Sequence, residues 1–165
     1  MYTLDNYLKA SSKMIVTFCG HRNFVRTAEL EEKLDRILLK LIKEHNVTFY
    51  LGGYGDFDMY VLEYLKNIKE KLKFVTAFIT PYITESYQKN RLEEITGDYD
   101  LIIYPPIEKA PLKFAIEYRN KWMIEESDIV IAYVKHSGGG AAKSLKHAVR
   151  RNKQIYNLAL DKIEL

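Results

Sequence analysis

Cysteine is all but missing from this chain. Cys19 is its one thiol, which excludes an intrachain disulfide and a cysteine-rich metal site. A reducing cytoplasm is the expected compartment. Long apolar runs are missing too: no stretch approaches the roughly 18 residues of a membrane span. The opening MYTLDNYLKASSK lacks the basic, apolar and small-residue order of a secretory signal, so neither export nor a membrane partner is expected. There is little excess charge of one sign. With 25 Lys and Arg against 22 Asp and Glu the net charge is +3, too little for a general polyanion coat, and nucleic acid is not expected as a partner on that ground. Repeats and low-complexity tracts are absent. Glycine is scarce at eight residues, so the places where it gathers are informative.

What is present is a chain of 165 residues with 47% hydrophobic content, enough for one domain over residues 1–165, with residues 1–13 as an N-terminal extension. Short β-type runs alternate with segments of helical period. MIVTF (14–18) reads as a first strand, and Thr27 caps a segment whose Leu30, Leu34, Ile37, Leu38 and Leu41 share one helical face. VTFYL (47–51) is a second strand, followed by a helix with Val61, Leu62, Leu65 and Ile68 as its stripe. FVTAFI (74–79) is a third strand, stopped by Pro81; residues 84–95 are a helix; DLIIY (100–104) is a fourth strand, ended by Pro105-Pro106. Residues 112–126 are helical, DIVIAYV (128–134) is a buried strand, 140–151 a helix and 154–158 a last strand. The expected fold is α/β: a three-layer α/β/α sandwich around an open, mostly parallel sheet of about six strands.

In such folds ligands collect at the carboxyl ends of the strands, where helix N-termini present free N–H groups. Four places stand out. After the first strand, Gly20 permits a tight turn, and His21 and Arg22 offer donors to an anion or a purine edge; a plain turn with two polar residues explains them equally. After the second strand comes LGGYGDFD. Gly52, Gly53 and Gly55, with Tyr54 among them, allow a phosphate or ribose close to the backbone, whereas Asp56 or Asp58 also suits a helix cap. Asp58 lies three and four residues before Val61 and Leu62, so it points with the buried stripe, where a ribose hydroxyl is a natural partner. Arg119 shares a helical face with Ala115, Ile116, Trp122 and Met123 and therefore needs an anion, either a ligand phosphate or a carboxylate such as Asp58 or Asp128. Asn120 stands beside it. Last, Ser137-Gly138-Gly139-Gly140 opens a helix of small residues after the most apolar strand, the pattern of an anion cradle or of a flexible loop. It is neither a P-loop nor a G-x-G-x-x-G fingerprint. From Ile129 to Leu160 there is no acidic residue but six Lys and Arg, a basic stretch that either faces an anion or is a solvated helix surface.

Taken in order, GHR (20–22), GGYGDFD (52–58), Pro81-Tyr82, RNKWM (119–123), SDIVIA (127–132) and GGG (138–140) resemble the SLOG superfamily. More closely the set looks like the YpsA-like branch, related to DNA-processing protein A and to the Lonely guy phosphoribohydrolases, and the resemblance spans residues 14 to 158. It implies a Rossmann-like fold whose glycine-rich strand exits bind a nucleotide or nucleotide-derived molecule, and it admits a homodimer. Arg119 and Met123 match the arginine helix of the Lonely guy enzymes. Asp56 stands where their threonine would be and Met59 where their catalytic glutamate would be, so their hydrolysis does not carry over directly. Three readings follow. The first is a non-catalytic binding module for a nucleotide or nucleotide-derived signal, with no resident cofactor or metal. The second is a nucleoside-monophosphate N-glycosidase or ribosyltransferase, with Asp58 and Arg119 as catalytic candidates. The third is single-stranded nucleic-acid binding through the basic stretch.

Overall fold

In the computed structural model of the protein, residues 13–161 are described; the expected N-terminal extension lies outside them except for Lys13. Six strands, β1 (Lys13–Gly20), β2 (Asn46–Leu51), β3 (Val75–Ile79), β4 (Leu101–Ile103), β5 (Ile129–Tyr133) and β6 (Gln154–Asn157), form one sheet in the order β4-β3-β2-β1-β5-β6. Every pairing is parallel, so the expected mostly parallel sheet is wholly so.

The helices are α1 (Ala28–Glu44), α2 (Asp56–Ile68), α5 (Ala115–Glu126) and α6 (Gly139–Arg150), with two short pieces, α3 (Glu85–Tyr87) and α4 (Glu93–Ile95), between β3 and β4. The reading of α1 from its apolar spacing holds: Leu30, Leu34, Ile37, Leu38 and Leu41 are buried, and the Thr27 hydroxyl accepts the Leu30 N–H at 3.2 Å. The single helix expected over 84–95 is instead broken by a π-helical stretch, Gln88–Leu92, between α3 and α4. The helix expected from Leu112 begins as a 3₁₀ turn, Leu112–Phe114, before α5.

Strand alternation explains the layering. Val16, Phe18, Phe49, Leu51, Phe78, Ile129 and Ile131 pack with the apolar faces of α1 and α2. The alternate residues go to the other side, where Cys19, Val130 and Ala132 meet Ile124 and Ala148, and Tyr50, Ala77 and Ile79 meet Met123. Both faces are therefore covered over the inner strands, which is why these read as continuous apolar runs, whereas Leu101 and Ile102 of the edge strand β4 stay exposed. This is the expected α/β/α sandwich. Because the chain builds outward from β1 in one direction and then returns to add β5 and β6 on the other side, right-handed crossovers send the β1 and β5 exits to opposite faces. The crevice between such diverging exits is where this architecture accepts ligands. Among the described residues no helix is long and apolar enough to cross a membrane.

Candidate functional site

A cavity of about 470 Å³ opens at that crevice, floored by the ends of β1 and β2 and walled by α5 and the N-terminus of α6. Its volume lies within the range of small-molecule sites. Twelve of the fourteen residues expected from the sequence line it, among them Gly20, His21, Arg22, Gly52, Tyr54, Gly55, Asp58, Arg119 and Asn120, with Gly138, Gly139 and Gly140. Gly53 and Ser137 stand behind the lining.

The glycine loop is shaped by its neighbours. A Cβ on Gly52 would sit 3.1 Å from Arg119 Cζ and 3.2 Å from Asp58 Oδ2, so this glycine is the gap between the two charged groups. Gly55, the N-cap of α2, has φ +86°, a left-handed conformation that favours glycine, and it supplies no side-chain cap. Asp58, at the third helical position, does not cap α2 but turns back to the loop, where the amides of Tyr54, Gly52 and Gly53 hydrogen-bond toward it. Burial nevertheless dominates and pushes its pKa from 3.8 up to about 6, against the opposing pull of Arg119 and those amides. The residue still keeps an opening to the cavity. Gly20 has a different reason. A Cβ there would lie 2.1 Å from the Phe57 ring, so the glycine makes room for the core rather than for a ligand.

Arg119 is 1% exposed, and neither carboxylate that its sequence context offered is its ion-pair partner. Its Nη1 donates to the Gly52 carbonyl at 2.8 Å and to the Ile79 carbonyl at 2.7 Å, joining the exits of β2 and β3. Among the described residues no carboxylate lies within ion-pair distance of it; Asp128 instead accepts the Ile15 N–H at 2.8 Å. Burial presses the guanidinium pKa down and Asp58, acting across Gly52, opposes this. Among the described residues its Nε, which is buried, has no hydrogen-bond partner. Tyr54 lays its ring 5.4 Å from Arg119 Cζ and shares a 3.2 Å hydrogen bond between hydroxyls with Tyr87.

His21 also departs from the donor role its position invited. Its Nε2 accepts the Lys135 N–H at 2.9 Å and the His136 N–H at 3.5 Å, and its ring stacks on His136 at 3.8 Å. Arg22 and Asn23 remain exposed at the rim. Across the cavity α6 follows its N-cap Gly138, which offers no side-chain cap, and its first turn holds no acidic residue. A Cβ on Gly140 would meet nothing within 4 Å. Gly138, Gly139 and Gly140 are exposed and line the cavity.

Sequence reasoning did not include Thr17, Ser144, Ile116 and Ile124, which also line the cavity. Ser144 carried a usable signal: it stands four residues after Gly140, on the face of α6 that begins at the cradle. Tyr87 and Arg91 carried none, since their contacts with Tyr54 and the Gly53 carbonyl depend on where the broken helix lands. Met59 is 48% exposed and lines a separate surface groove with Phe24, Arg26, Tyr60 and Glu63. Asp58 is thus the one acidic residue among those lining the cavity.

No family profile and no curated protein sequence matches the chain. Solved structures do. The fold is similar to that of DNA processing protein A from Helicobacter pylori, described by its single-stranded DNA binding mode, with 20% identity, a TM-score of 0.54 and coverage of 91% of this chain and 66% of that one. It is also similar to DNA processing protein A from Streptococcus pneumoniae, with 17% identity, a TM-score of 0.58 and coverage of 91% and 50%. The chain therefore spans between half and two thirds of these proteins, and at such identities the likeness is one of fold. The Rossmann-like α/β fold expected from the motif order, with DNA-processing protein A among its relatives in shape, is the fold observed.

Proposed function

We propose that the chain captures a nucleotide or nucleotide-derived small molecule in the cavity between the β1, β2 and β5 exits. The ligand's anionic group rests on the α6 N-terminus and its ribose hydroxyls face Asp58. One observation carries the reading: an uncapped, glycine-built helix N-terminus and a buried carboxylate share one cavity of about 470 Å³. The free N–H groups and the dipole favour an anion. A carboxylate on the other wall would repel a second anion and accept hydroxyl donors, which is the polarity of a sugar phosphate. The motif order, which resembles that of the YpsA-like branch, supports the same choice.

The glycosidase reading has less support, because Met59, in the glutamate's place, faces another groove and Asp58 has no second carboxylate beside it in the cavity. Calorimetry with a panel of nucleoside 5′-monophosphates tests binding. Gly140→Asp, at a position with room for a side chain, should weaken it by about tenfold or more, equivalent to about 1.4 kcal/mol, through repulsion at the helix N-terminus. Unchanged affinity in that variant would remove the anion from α6. Chromatography of the same mixtures decides catalysis, since release of free base would restore the enzyme reading.

A second reading is favoured by the likeness to the Helicobacter pylori protein described by its single-stranded DNA binding. Together with Lys143, Lys146 and Arg150 exposed on α6, it stands against the expectation, drawn from net charge alone, that nucleic acid is no partner. Anisotropy of a labelled single-stranded oligonucleotide across a salt series tests it. Contacts with phosphates weaken with a slope of about −0.7 per contact in log affinity against log salt, and the absence of salt-dependent binding would discard this reading.

A further inference from the structure

We propose that His21 is a positioning residue: by accepting two backbone N–H groups of the β5–α6 loop on Nε2, it holds the α6 N-terminus in its ligand-receiving place, and it does so only as a neutral imidazole. The inference rests on the reading of α6 as the anion site. The geometry is a latch between two strand exits. The His21 N–H donates to the Tyr133 carbonyl at 3.2 Å, which fixes the residue against β5. Its Nε2 then accepts from Lys135 at 2.9 Å and from His136 at 3.5 Å, the residues that lead directly into Ser137 and the glycines. The stacked His136 ring, 3.8 Å away and tilted by 8°, covers the imidazole from the loop side.

Protonation would undo this. An imidazolium has two donors and no acceptor, so Nε2–H would face two N–H groups, and the loop would lose its anchor. Two basic groups that bear on the ring oppose the charge: His136 stacks on it and Lys135 precedes His136 in the same loop. The Tyr133 ring of β5 lies nearly perpendicular to it at 6.4 Å, and Arg22 adjoins it in its own loop. Burial first, then His136 and Lys135, accordingly lower the His21 pKa from its ordinary 6.5. The neutral, accepting form is the one the fold is built around. The sign follows: the latch is closed at neutral and higher pH and opens as pH falls through the depressed pKa.

Two variants separate latch from ligand contact. His21→Gln keeps an acceptor at the reach of Nε2 and cannot titrate, whereas His21→Leu has no acceptor. In the ligand-free protein carrying His136→Asn, which removes the neighbouring ring's own titration, NMR from pH 8 to pH 5 should show the Lys135 and Gly138 amide signals moving together with the His21 ring signals, and adding His21→Gln should abolish the movement that follows the ring. Amides that ignore the ring would overturn the latch. With AMP as the probe, the ratio of wild-type to His21→Gln affinity cancels titration of the phosphate and of Asp58. That ratio should fall by up to about tenfold for each pH unit below the ring's pKa, and His21→Leu should bind AMP at least about tenfold more weakly than His21→Gln at pH 8. A ratio that rises on acidification would make His21⁺ a direct anion ligand and end the proposal. If AMP binds none of these proteins, the nucleotide reading fails for AMP, and the NMR titration still decides the latch.

Discussion

Asp58 and Arg119 face each other across the side-chain-free space of Gly52, and each is held at a cost in hydration. For Asp58 the folded pKa of about 6 exceeds the ordinary 3.8, so between those values the native state binds more protons than the unfolded chain, and stability falls as pH rises through that window. Asp58→Asn should remove this dependence and gain about 3 kcal/mol at pH 7.5, since each pH unit between the two pKa values is worth about 1.4 kcal/mol; urea denaturation at pH 4.5 and 7.5 reads it. A less stable Asp58→Asn protein at pH 7.5 would mean that the loop amides, not burial, govern the carboxylate. Arg119→Leu should cost about 3 kcal/mol, because the Gly52 and Ile79 carbonyls lose a charged donor in a buried place. Equal stability of that variant would contradict the clamp. That Arg119 lies on a packed face was legible from its spacing to Ala115 and Met123. Its partners were not, because backbone carbonyls leave no mark in a sequence.

At the scale of the element, local signals served well where they were sufficient by themselves. Thr27 ahead of the Leu30 to Leu41 stripe placed both the start and the buried face of α1, and the hydroxyl does accept the Leu30 N–H. Thr27→Ala should lower stability by about 1 kcal/mol, read as a shift in the denaturation midpoint at constant slope; a shift within error would show that the cap is replaceable by water. The segment between β3 and β4 behaves differently. Its Tyr87 and Arg91 reach the glycine loop at Tyr54 and Gly53, 33 and 38 positions away. The local winding changes to a π-helical stretch between Tyr87 and Glu93. Contacts of that range are invisible to a helix period read over a dozen residues, which is why one regular helix was expected where the winding changes.

At the scale of the molecule, the cavity exists because three strand exits meet where the chain reverses its direction of growth across the sheet. A ligand seated there would touch β1, β2, α5 and α6 at once and so stabilise the folded state as a whole. At one hundred times its Kd a nucleotide bound only by the folded chain should add about 2.7 kcal/mol and raise Tm by about 5–10 °C. Differential scanning fluorimetry across a ligand series checks this, and a nucleotide that binds by calorimetry without raising Tm would have to occupy a site available to the unfolded chain as well.

The sequence by itself determined the alternation of strands and helices, the glycine-rich exits and the inward side of Asp58 and Arg119. Those depend on residue type and on periods of two and 3.6, which are local. The tertiary structure alone decided that the Gly20 Cβ would strike Phe57, that Gly52 parts a carboxylate from a guanidinium, and that Arg119 grips carbonyls rather than an acid. It also decided that His21 receives the backbone of a loop more than one hundred residues away. These are matters of distance between segments remote in the chain, and sheet order and crossover hand set them, not composition or spacing.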